Sequence, residues 1–169
     1  MTVWVFDATP LIYLGKLRIL EKLTHTTNLI PRSVYQEVVE RGNGLPEAQY
    51  IQNLIGNGTL RIVEVTCTLR APHLDAADLD VLSHAKGNNC TAIVDDRAAR
   101  LTGEFANVKT AGSIHVLFTL LHQKKLRSQE VKQAIDTMID HGWYCSTDLY
   151  SKILQKLTEH NRPPHCQNI

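Results

Sequence analysis

Thr2-Val-Trp-Val-Phe-Asp7-Ala-Thr9-Pro10-Leu-Ile12 is the stretch on which the fold turns. Val3, Val5 and Phe6 lie in a short β-branched and aromatic run, the composition of a buried strand. Thr9 and Pro10 fit the cap and first turn of a helix. Asp7 sits between the two, and with Thr9 as the better-placed cap its carboxylate has no structural task. The question is what else stands beside it.

The same strand-to-helix alternation recurs along the chain. Strand-like runs fall at Val3–Phe6, Asn28–Ile30, Leu60–Val65, Thr91–Val94 and Asn107–Lys109. Helical patterns separate them: one opened by Pro31 and stopped at Gly42, one from Pro46 to Ile55, and one from Asp75 to Lys86. Further helices start at Asp95 or Asp96 and at Gly112–Ser113, and two more cover Gln129–Asp140 and Thr147–Thr158. Strands alternating with helices imply βαβ crossovers and a parallel sheet covered on both faces. The expected fold is α/β, as a single domain over residues 1–160 with a flexible tail at 161–169. In such a sheet ligands bind outside the carboxyl ends of the strands.

Bulk properties narrow the function. The 169 residues carry a net charge of +1, so no global basic field advertises nucleic acid and any basic surface is local. No apolar run approaches the ~20 residues of a membrane span. Cys67, Cys90, Cys145 and Cys166 are scattered without a CxxC pair, which points to reduced thiols and a cytoplasmic protein. His115 and His122 share a helix face, and His160, His165 and Cys166 lie near the end, but no set has zinc-ligand spacing.

Carboxylates concentrate where ligands are expected. Asp7 ends the first strand, and Asp95 and Asp96 end Thr91–Val94. Asp78 lies four residues from both Leu74 and Leu82, on the apolar stripe of its helix. Asp80, turned ~200° from it, is expected to face water. Glu37 flanks the buried face made by Val34, Tyr35, Val38 and Val39, whereas Glu40 points away. Each acid has a plainer role as well: Asp95 or Asp96 as a helix cap, Asp75 with Asp78 as a capping box, Glu37 as a solvated flank. Together they demand more, because two unit charges ~4 Å apart repel by ~4 kcal/mol even at an effective dielectric of ~20. A hard divalent cation, Mg²⁺ or Mn²⁺, resolves that repulsion through oxygen ligands.

At these residues the chain resembles the PIN-domain nucleases, the family that includes the VapC-like toxin ribonucleases of toxin–antitoxin systems. Val-Phe-Asp7-Ala-Thr9-Pro10, Ile-Pro31-Arg-Ser-Val-Tyr-Gln-Glu37-Val, Leu74-Asp-Ala-Ala-Asp78 and Ile-Val94-Asp95-Asp96-Arg97 fill the four acid motifs in order. Gly112-Ser113 before an apolar helix and Gly142-Trp-Tyr-Cys-Ser-Thr-Asp-Leu-Tyr150 match further features. Two departures stand out: Ala77-Asp78 replaces the usual Gly-Glu, and the doubled Asp95-Asp96 leaves the fourth ligand open.

The resemblance implies a three-layer α/β/α sandwich and a Mg²⁺- or Mn²⁺-dependent endoribonuclease. Asp7, Glu37, Asp78, Asp95 and Asp96 would then be its catalytic and metal-binding acids, with Thr9 and Ser113 in support. Arg97, Arg100, Lys124, Lys125 and Arg127 are the candidate contacts to a single-stranded RNA substrate. A small antitoxin protein and a homodimer are implied by the family alone. Two alternatives remain: a non-catalytic PIN fold that binds RNA or protein, and an aspartyl-phosphate phosphotransfer domain. The second lacks the Asp-x-Asp after strand one, where Thr9 stands third, and has its paired acids on the wrong strand.

Overall fold

The computed structural model describes residues 1–161. Of the expected tail only Asn161 is described; the rest, with His165 and Cys166, lies outside the described residues. Five strands, β1 (Thr2–Phe6), β2 (Thr26–Pro31), β3 (Leu60–Val63), β4 (Thr91–Ile93) and β5 (Thr110–Ala111), form one parallel sheet ordered β3-β2-β1-β4-β5. The helices are α1 (Ala8–Lys16), α2 (Arg32–Tyr35), α3 (Pro46–Gly56), α4 (Ala76–Asn88), α5 (Arg97–Phe105), α6 (Ser113–His122), α7 (Ser128–Asp140) and α8 (Thr147–His160). The sheet is flanked by helices as a PIN-like α/β/α sandwich. Two compact units emerge, Met1–Val116 with the whole sheet, and a second from Leu117 with most of α6, α7 and α8.

The sequence pattern accounts for the sheet. Trp4, Val5, Phe6, Ile30, Ala92, Ile93 and Val94 are all buried. Near-continuous apolar strands are what a parallel sheet covered on both faces requires. From β1 the chain steps outward to β2 and β3, then returns past β1 to β4 and β5. Right-handed crossovers therefore place α1 and α3 on one face and α4 and α5 on the other. Packing agrees: α1 lies against α3, and α4 against β1, β2, β4 and α5. The direction of winding reverses between β1 and β4, so the crevice for a ligand opens there.

Two expected elements shift. The last strand is Thr110–Ala111, not Asn107–Lys109. Asn107 adopts a left-handed backbone (φ 57°) that closes α5, its N–H donating to Glu104 O at 3.0 Å and that of Val108 to Gly103 O at 2.8 Å. Two of the three strand-like residues are thus spent on ending a helix, while Lys109 O already accepts from the Ala92 N–H of β4 at 2.9 Å. The first helix starts at Ala8, so Thr9 is an exposed residue inside its first turn and not the cap.

Gly103 sets how closely α5 approaches the sheet. A Cβ there would lie 2.6 Å from Thr110 Cγ2 and 3.2 Å from Leu82 Cδ2. Gly103→Ala is therefore expected to destabilise the protein by about 1–2 kcal/mol in urea unfolding. Unchanged stability would show that Thr110 and Leu82 yield freely.

In the second unit α7 buries Val131, Ala134, Ile135 and Met138, and α8 buries Ile153 and Leu157. Tyr150 Oη donates to Asp136 Oδ1 at 2.6 Å, while Lys132 Nζ holds Oδ2 of the same carboxylate at 2.7 Å. Lys124, Lys125 and Arg127 lie in the turn between α6 and α7.

Candidate active site

Asp7 follows the last residue of β1, and its N–H donates to Ile93 O at 3.0 Å, tying it to the end of β4. It occupies the N-cap position of α1 yet makes no side-chain cap bond, which leaves the carboxylate for other work. It is only 5% exposed. Burial above all, then the charges of Asp78, Glu37 and Asp75, push its pKa up to about 7, against a pull downward from the Ala8 N–H.

Asp78 stands in the first turn of α4, half-buried. The capping box is real: Asp75 Oδ1 accepts from the Asp78 N–H at 2.9 Å, and Asp78 Oδ2 from the Asp75 N–H at 3.3 Å. The plainer role and the electrostatic one coexist. Burial first, then the charges of Asp75, Asp96 and Glu37, push Asp78 up to about 6, although the Asp75 N–H opposes the rise.

Glu37 is carried by a π-helical stretch, Gln36–Glu40, that continues α2. Such widened turns recur at functional positions. Glu37 is half-buried and Glu40 exposed, as the helical periodicity predicts. Burial and the charge of Asp75 raise Glu37, while Arg41 lowers it. Asp80 corrects an expectation. It does not face open water but accepts from Ser33 Oγ at 2.6 Å, joining α4 to α2.

The neighbours Asp95 and Asp96 divide their tasks. Asp95 Oδ1 accepts from the Ser113 N–H at 2.8 Å and Oδ2 from Ser113 Oγ at 2.6 Å. Arg100 donates Nε to Val94 O at 2.9 Å and brings its guanidinium to 4.0 Å from Asp95 Oδ1. A Cβ at Gly112 would collide with that guanidinium and lie 2.7 Å from Asp95 Oδ1, which is why glycine precedes Ser113. Asp95 thus bolts the end of β5 to the end of β4. Asp96 caps α5, its Oδ1 accepting from the Ala99 N–H at 2.8 Å, and its charge is felt at Asp78. The geometry separates the two: Asp95 braces, and Asp96 belongs electrostatically with the other acids.

The charges of Asp78, Glu37 and Asp75 thus act on Asp7 near the crevice between β1 and β4, and Asp96 is linked to them through Asp78. Asp75 was legible only as a cap; its acidic charge at the start of α4 is felt at Asp7, Glu37 and Asp78. Thr9 is exposed one helical residue beyond Ala8, and Ser113 is fully buried on Asp95. Arg97 and Arg100 lie on α5 in the same unit as the acids, whereas Lys124, Lys125 and Arg127 belong to the second unit.

Among the described residues no group of three or more His, Cys, Asp or Glu side chains is arranged to hold a metal ion as it stands. The donor chemistry nevertheless fits a hard cation. The charged neighbours acting on Asp7 are Asp78, Glu37 and Asp75, all of one sign. Carboxylates that repel splay apart, and an oxygen-seeking cation supplies the charge that draws them together.

The sequence profile of the PIN domain matches residues 3–159. No curated protein matches the chain. Among solved structures, a PilT N-terminus domain protein from the hyperthermophilic archaeon Sulfolobus solfataricus is similar, with a TM-score of 0.52 and 10% identity over 86% of this chain and 100% of that one. A domain of a functionally unknown protein from Methanocaldococcus jannaschii gives a TM-score of 0.47 and 14% identity over 66% of this chain and 91% of that one. At 10% identity the first likeness concerns the fold alone, and the profile spanning nearly the whole chain carries the assignment. The chain belongs to the PIN-domain family.

Proposed function

We propose that this protein is a divalent-cation-dependent endoribonuclease that hydrolyses phosphodiester bonds of single-stranded RNA between β1 and β4. The observation that supports this reading is the set of like-charged acids near the switch point of the sheet, with Asp7 buried, Glu37 and Asp78 half-buried and Asp75 and Asp96 exposed. Asp7 and Asp96, with Glu37 and Asp78, are the residues that would hold Mg²⁺ or Mn²⁺. Such an ion, when bound, lowers the pKa of a bound water and neutralises charge developing on phosphate.

The chain's own side chains do the rest. Asp7, buried under the end of β1, gives the site a fixed and water-poor floor. Asp95, Ser113 and Arg100 hold the loop after β4 so that Asp96 keeps its place at the start of α5. Arg97 and Arg100 offer positive charge to substrate phosphates. By family analogy we further propose a cytoplasmic toxin role, with a small antitoxin protein as partner and a homodimer as the working form.

The test is cleavage of a labelled single-stranded RNA by purified protein in Mn²⁺ or Mg²⁺ against EDTA. Metal-dependent cleavage is expected; RNA binding without cleavage in either metal would instead favour a non-catalytic RNA-binding module.

Stability offers an independent check with a definite sign. Asp7 and Asp78 have folded pKa values of about 7 and about 6, above the ordinary carboxylate value of 3.8. Between these limits the folded state binds more protons than the unfolded one. The metal-free protein must therefore lose stability as pH rises from about 4 through about 7. A cation that binds the ionised cluster adds roughly 2.7 kcal/mol at a concentration a hundred times its Kd. Mn²⁺ should accordingly raise Tm more at pH 8 than at pH 5. An equal gain at both pH values would place the ion elsewhere.

A further inference from the structure

Beside the acidic crevice lies a second concavity of different chemistry. It is a cleft of about 490 Å³ between α5 and the edge strand β5. Arg97, Arg100 and Lys109 bring positive charge to its walls, the exposed Leu101 supplies apolar surface beside the buried Val108, and Glu104, Asn107 and Thr110 complete the lining. The net charge of the whole chain is only +1, so this is a local basic feature and not part of a general field.

Position ties the cleft to the acids. It begins at Arg97, the residue after Asp96, and Arg100 belongs to both regions, since its guanidinium lies 4.0 Å from Asp95 Oδ1 while it also lines the cleft. The bond from Arg100 Nε to Val94 O fixes that guanidinium in advance of any ligand. Strand β5 is the last in the sheet, so no further strand covers that side of the cleft.

Its lining suits one kind of ligand. Phosphate alone would need cations but no apolar wall, and a purely apolar ligand would not tolerate three cations. A nucleotide needs both, because its phosphate seeks Arg and Lys and its base seeks a flat or aliphatic surface.

We propose that the cleft between α5 and β5 is a nucleotide subsite, holding the residue of the RNA strand next to the scissile phosphate. Arg97 and Lys109 take its phosphates, and the exposed Leu101 receives its base. The proposal rests on the ribonuclease reading for what happens in the crevice, but the binding it describes is measured separately.

The experiment uses Asp7→Asn protein in EDTA, which cannot cleave, and a fluorescein-labelled single-stranded RNA read by anisotropy over a salt series. In that background, Arg97→Ala with Lys109→Ala should weaken binding tenfold or more. It should also reduce the slope of log K against log salt by about 1.4, as two lost phosphate contacts on a single strand require. Arg97→Lys with Lys109→Arg should restore both. Leu101→Ala should weaken binding several-fold with the slope unchanged, because an apolar contact releases no counterions. Circular dichroism checks each fold.

An unchanged affinity and slope in the double alanine variant would overturn the subsite. So would a Leu101→Ala protein that binds as its parent does. If these shifts occur while otherwise unaltered protein cuts no RNA in Mn²⁺, the subsite stands and the ribonuclease reading fails. If that protein cuts RNA and no shift occurs, the reverse holds.

Discussion

Asp7→Asn is expected to abolish metal-dependent cleavage of RNA and to make the metal-free protein harder to unfold. Both effects follow from one carboxylate that is 5% exposed and surrounded by charges of its own sign. Loss of a direct ligand is expected to slow cleavage on the order of a thousandfold, about 4 kcal/mol of barrier. The amide keeps an oxygen for the Ala8 N–H and occupies the same volume, so the fold loses nothing. At pH 8 the folded state no longer holds a buried ionised group, and stability should rise by about 2 kcal/mol. That corresponds to a Tm higher by roughly 4–8 °C for a chain of this size.

The gain should shrink as pH falls towards 4, where the native carboxyl is itself neutral. Urea unfolding at pH 8 and pH 5 beside a single-turnover cleavage assay checks all three points. A variant that cuts RNA at an unchanged rate, or that unfolds more easily at pH 8, contradicts the assignment of Asp7.

The second large effect separates two acids on one helix. Asp78→Asn should reduce cleavage at least a hundredfold, about 2.7 kcal/mol. Asp80→Asn should leave the rate within threefold. Asparagine at 78 still has an oxygen for the Asp75 N–H, and even complete loss of such a cap costs only ~1 kcal/mol. Asparagine at 80 still accepts from Ser33 Oγ, so α4 and α2 stay joined. Asp80→Ala removes that link and belongs in the same series, because α2 leads into the turn that carries Glu37. Cleavage in Mg²⁺ and in Mn²⁺, with circular dichroism on each variant, is the measurement. Equal losses at 78 and 80 would mean that the site draws on the helix link and not on the Asp78 charge.

Periodicity made the sheet legible, because a parallel sheet writes itself as short apolar runs separated by helical stripes. The same periodicity placed Glu37 inward and Glu40 outward, and the structure agrees. What one-dimensional reading could not see was competition for hydrogen-bond partners. Thr9 carries the hydroxyl of a good cap, yet the helix starts at Ala8, because the Asp7 N–H is already committed to β4. Asn107–Lys109 has strand-like composition, yet a left-handed Asn107 and the Val108 N–H close α5 first, and the strand begins at Thr110. Asp95 and Asp96 are the same residue side by side, and what separates them is the cap Asp96 gives to Ala99 and the bonds Asp95 makes to Ser113, 18 positions away. Asp80 was placed by angle alone; its partner Ser33 lies 47 positions away. Contacts across such separations leave no periodic trace.

The reciprocal bonds between Asp75 and Asp78 have a consequence for any ion that arrives. Asp78 Oδ2 already has a tenant, the Asp75 amide, at 3.3 Å. To turn that oxygen wholly towards a cation would cost the first turn of α4 this bond, whereas the second carboxylate oxygen could meet an ion with the cap left in place. An ion drawn to Oδ2 would therefore compete with the helix start for one atom, and an ion drawn to the other oxygen would leave that turn intact. Hydrogen exchange at the Asp75 amide, faster on adding Mn²⁺ in the first case and unchanged in the second, tells the two apart.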